Sequence, residues 1–160
     1  MTIRRLILST ALAAATISGG VPACAQQADF NEVGRNMAIM LQNSHFARLP
    51  FNEQLSQRFL NDYIEGLDPA RMYFTQEDVD RFRRQYGSRL HTMLLQGDCM
   101  RPATEIYRVF RERVETRIAY ADELLEKNNF DLTTDGSVMR TRKEAPWPAD
   151  EAAAQELWRQ

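Results

Sequence analysis

Apolar residues recur along this chain at helical spacing in five runs, separated by proline, glycine and short polar residues. In the first, Asn31 to Phe46, the positions Val33, Met37, Met40, Leu41 and Phe46 share one helical face, with Gly34 as a weak point. Leu49-Pro50-Phe51 interrupts the pattern, and Asn52 is placed to cap a second helix running to about Glu65. That helix carries Leu55, Phe59, Leu60, Tyr63 and Ile64, and Gly66 stands where a C′ glycine would end it. A third run follows Thr75, through Val79, Phe82, Tyr86, Leu90, Met93 and Leu94, and ends at Gly97. Gly87 in its middle costs up to about 1 kcal/mol relative to alanine, as a close helix crossing or simply as a weak point. The fourth and longest run extends from Cys99 to Asn128, with Asp98 placed to cap it and Pro102 in its first turn, where a missing N–H costs little. At 1.5 Å per residue it would reach roughly 40 Å. Its stripe is Ala103, Ile106, Tyr107, Phe110, Val114, Ile118, Ala121, Leu124 and Leu125. The periodicity is lost between 130 and 148, where an irregular segment with room for a short strand is expected. Asp150 opens a last helix with Leu157 and Trp158, which stops at Gln160 without a C-cap and points to truncation. The prediction is an all-α array of about five helices joined by short turns.

The stretch from Leu67 to Phe82 organises this pattern. Asp68 precedes Pro69, so its backbone is pushed out of the α region and the second helix is expected to stop there. Thr75 has the character of an N-cap, with Asp78 where a capping box carries its acid. Phe74 at N′ and Val79 at N4 are placed to form a hydrophobic staple. A rigid corner results, with Tyr73 and Phe74 turned inward.

These residues also carry a resemblance. Leu67-Asp68-Pro69, Tyr73-Phe74, Asp78 and Phe82 resemble the signature of the N-terminal helical domain of tail-specific proteases, also called carboxy-terminal processing peptidases. A second match is Ala145-Pro146-Trp147 with Trp158. The resemblance runs from about Phe51 to the C-terminus. It implies a domain that precedes a PDZ domain and a Ser/Lys catalytic domain, in enzymes that recognise nonpolar C-terminal tails. Those downstream domains, protein substrates or an envelope adaptor protein are the partners it implies. The family's nucleophile and lysine would lie beyond Gln160, so no catalytic residue is carried over.

Composition changes the picture at the N-terminus. Arg4 and Arg5, an apolar run from Leu6 to Ile17 and Ala23-Cys24-Ala25 make residues 1–25 a secretory signal peptide, with cleavage before Gln26. The apolar run is too short to span a bilayer comfortably. The mature domain is then 26–160, and its expected destination is the periplasm. Cleavage before Cys24 would instead leave a lipidation site, although Val21-Pro22-Ala23 approaches such a site poorly. After ordinary cleavage Cys99 is the remaining cysteine, which makes neither an internal disulfide nor a cysteine metal site. Without Arg4 and Arg5 the chain has 18 basic and 22 acidic residues, a net charge of −4. Eighteen of the twenty basic residues are arginine, crowded at Arg81 to Arg89 and Arg108 to Arg117. Interleaved acids and the negative balance read these as salt-bridged faces and not as nucleic-acid sites.

Candidate chemistry is thin. A Ser/Lys peptidase needs a serine beside a lysine of lowered pKa. The two lysines, Lys127 and Lys143, stand in polar stretches, and Ser137 near Lys143 has no visible oxyanion arrangement. His45 and His91 share no metal-site spacing. The Asp78–Asp80 and Glu123–Glu126 pairs read as cap and solvated face. No catalytic residue, metal or cofactor is expected in this chain. Trp147 and Trp158, packed with Tyr73 and Phe74, would join the C-terminal segment to the corner. If further domains normally cover Trp158, the isolated chain would expose it. Two readings follow: the accessory domain of a periplasmic processing peptidase, inactive alone, or a stand-alone exported helical module that binds proteins without catalysis.

Overall fold

Most helix starts carry the polar residue that their free N–H groups require. In the computed structural model, which describes residues 28–46, 50–127, 133, 137, 139 and 141–160, six helices are formed. They are α1 (Phe30–Ser44), α2 (Glu53–Leu67), α3 (Gln76–Tyr86), α4 (Leu90–Gln96), α5 (Met100–Lys127) and α6 (Glu151–Arg159). Asp29, Asn52, Thr75 and Asp150 each accept hydrogen bonds from the first turns of α1, α2, α3 and α6. Helix α5 differs from expectation. Asp98 pairs with the Arg101 side chain, and the Met100 N–H is met by Asn31 Oδ1 of α1 at 2.9 Å. The all-α class holds, and no strand occurs among the described residues.

The expected third helix is two helices. Gly87 makes the last α3 bond, its N–H donating to Arg83 O at 2.9 Å, and the chain then turns through 87–89 before α4. A Cβ at Gly87 would lie 2.5 Å from that Arg83 oxygen, a tightening that only glycine accepts there. The break lets α4 pack against both α1 and α2. Gly66 is not a C′ residue: it lies in the last turn of α2, which continues to Leu67 with Asp68 as its cap. The restriction imposed by Pro69 decides that boundary. Residues 1–25 with Cys24, and Phe130, Leu132 and Val138 of the irregular segment, lie outside the described residues.

The core lies between α2, α3 and α5. Leu60 and Ile64, Phe74, Val79 and Phe82, and Ile106 and Val109 form it, closed by Trp147. The staple pair Phe74 and Val79 is fully buried. Of the α5 stripe Ile106 is buried, Ala103, Phe110, Val114, Ala121 and Leu124 are half-buried, and Tyr107, Ile118 and Leu125 are exposed.

Gly97 closes α4 at φ 74°, with no atom nearer to an added Cβ than Arg35 Cδ at 3.7 Å. Its requirement is therefore purely conformational. Gly97→Ala is expected to lower stability by about 1 kcal/mol and Gly97→Asn by less, in urea unfolding. Equal stability of the three proteins would show that this left-handed turn imposes no constraint.

Candidate functional site

The corner is built around Asp68, whose side chain is buried. Its Oδ1 accepts the Met72 N–H at 2.8 Å, and Oδ2 accepts those of Tyr73 and Phe74 at 3.0 Å each. The fourth donor is the Trp147 indole N–H, at 3.2 Å from Oδ2. The Asp68 carbonyl also accepts the Arg71 N–H at 3.1 Å, closing a turn with Pro69 at its second position. This turn holds Arg71 at φ 52°, a strained conformation for a residue with a side chain. Its guanidinium is fixed at several points: Nη1 donates to Ala145 O at 2.8 Å, Nη2 to Glu65 at 3.0 Å, and the group lies 4.4 Å from the centre of the Trp147 ring.

The C-terminal segment thus docks on the corner at several places. Trp147 is buried against Asp68 and Arg71, and Pro148 O accepts the Gln76 N–H at 2.7 Å. Trp158 of α6 donates its indole N–H to Met72 O at 2.6 Å, beneath the Arg117 guanidinium and beside the Tyr120 ring. Trp158 is buried within this chain, so it packs into the core and the conditional exposure does not arise. Phe74 is buried and Tyr73 partly so, and both meet Phe110 of α5 edge-on or tilted, at 5.7 and 5.4 Å between ring centres. Of the motif residues, Asp68, Phe74, Asp78, Phe82, Trp147 and Trp158 are buried, Leu67, Tyr73 and Ala145 are half-buried, and Pro69 and Pro146 are exposed.

Asp78 does more than cap. It closes the expected capping box with Thr75, and it also receives Arg113 of α5 bidentately, at 2.8 and 3.2 Å, with Arg81 at 3.1 Å. Arg113 continues to Glu151 of α6 at 2.9 Å, so one chain of charges ties α3, α5 and α6 together. Burial pushes the Asp78 carboxyl upward, but the Arg113 and Thr75 hydrogen bonds outweigh it and hold the group below its ordinary 3.8. Arg113 is raised in turn, first by its hydrogen bond to Asp78. The other arginine-rich faces are lined with exposed pairs such as Arg108–Glu112 and Arg111–Glu115.

Elsewhere the arrangement offers little to a reacting substrate. Ser56 Oγ accepts the backbone N–H of His91 at 2.8 Å and shares a second hydrogen bond with His91 Nδ1 at 2.6 Å. Ser56 is wholly buried, so this pair, 35 residues apart in sequence and without any motif to announce it, pins α4 to α2. The buried Tyr86 hydroxyl donates to Glu105, and burial, with Glu105 beside it, pushes its pKa up to about 12. Lys127 is paired with Glu123 on the surface and raised by it, the opposite of what a catalytic lysine requires. Lys143 and Ser137 are both exposed. His45 caps the end of α1. No group of three or more metal-ligating side chains occurs among the described residues. Between α1, α2, α4 and α5 lies an apolar groove of about 310 Å³, which includes Met37, Leu41, Phe51, Phe59 and Leu90.

Comparison with known proteins agrees with the corner. The family model described as tail specific protease N-terminal domain matches residues 37–160, reaching further into α1 than the motif residues alone. The tail-specific protease of Haemophilus influenzae is 31% identical over 138 residues, 86% of this chain. The chain spans 19% of that relative's length.

Two outcomes follow from the corner's geometry. Asp68→Ala leaves three backbone N–H groups and an indole N–H without their acceptor, and is expected to cost about 3 kcal/mol or more in urea unfolding. A loss below about 1 kcal/mol would mean that water replaces the carboxylate freely. For Asp78 the lowered pKa means that its stabilisation is complete above the ordinary 3.8 and is lost as pH falls through the folded value. Melting temperature measured against pH should therefore fall below about pH 4 in the parent. Asp78→Asn should be less stable near neutrality and show a shallower acid limb; an unchanged acid limb would refute the assignment.

Proposed function

The chain belongs to the tail-specific protease N-terminal domain family, and from that premise we propose that it is the accessory domain of a periplasmic, serine-type, tail-specific endopeptidase. The leader pattern at residues 1–25 supports export. The domain frames the peptidase core and helps position protein substrates with nonpolar C-terminal tails. Hydrolysis is carried by a Ser/Lys pair outside these 160 residues. The observation that carries this reading is the double tryptophan clamp. Trp147 on Asp68 and Trp158 on Met72 hold α6 to the corner, so that whatever this helix supports is set at a fixed angle to the core. A scaffold needs that rigidity, and a domain that binds flexible ligands does not.

The reading is tested in the cell envelope with an antibody raised against residues 26–160. The expected result is a band several times larger than the 18.5 kDa chain. The immunoprecipitate should cleave a reporter protein ending in an apolar tail and spare one ending in a charged tail. A band at the size of the processed chain, with no cleavage, would overturn the proposal in favour of a stand-alone protein-binding module.

A further inference from the structure

We draw no further inference here: the strongest candidate, the apolar groove of about 310 Å³ between α1, α2, α4 and α5, shares Met37 with the exposed face of α1, and nothing in the structure shows what covers it.

Discussion

A carboxylate withdrawn from water sets the geometry of this domain. An ionised group in apolar surroundings costs several kcal/mol unless its lone pairs are met, and Asp68 meets that cost with four N–H donors. Three come from consecutive backbone amides, Met72 to Phe74, so the chain must wrap closely around the side chain. The wrap requires the turn over Pro69 and the left-handed backbone at Arg71. The fourth donor comes from 79 residues further along. Local turn chemistry and long-range assembly therefore depend on the same two oxygen atoms. Neither can be changed without the other, because any change that leaves the carboxylate buried leaves it short of donors.

Strain at Arg71 illustrates how such a corner persists. A glycine would relieve the backbone but would remove the guanidinium that joins Ala145, Glu65 and the Trp147 face. The unfavourable φ is held in place by contacts on three sides, as strained positions in stable structures generally are. Asp78 repeats the principle one turn later. Its cap serves α3 alone, yet its second role, receiving Arg113, fastens α3 to α5 and through Glu151 to α6. Trp158 on Met72 and Trp147 on Asp68 then make the last helix part of the corner. On the proposed reading this is the mechanical content of the domain: rigid attachment, with no reacting group among the residues that provide it.

What was legible in the sequence was what is local. Asn52, Thr75 and Asp150 act within three residues, and each could be named as a cap from its position before an apolar run. The stop at Asp68 follows from the proline beside it. The break at Gly87 was visible only as a weak point, since propensity gives its cost and not whether packing keeps the helix straight. It splits because α4 has a better place against α1 and α2. The α5 stripe misled at Tyr107, Ile118 and Leu125 because periodicity marks apolar residues without saying which of them a neighbouring element covers. Arg71, Arg113 and the Ser56–His91 pair act across 35 to 74 residues, and no spacing rule announces such contacts. For Trp158 the side chain was legible as an anchor, but its cover came from Arg117 and Tyr120 of this same chain.

The two ends of the domain obey different physics. At the corner, both oxygens of the buried Asp68 and Asp78 carboxyls have defined donors, so the arrangement is specific and tolerates little substitution. At α1 one exposed face, Phe30, Val33, Met37 and Met40, is apolar, with Glu32 and Arg35 exposed elsewhere on the same helix, and among the described residues no buried polar atom there fixes its surroundings as Asp68 does at the corner. The corner therefore fixes how α6 sits against α3 and α5, through bonds that do not pass through α1.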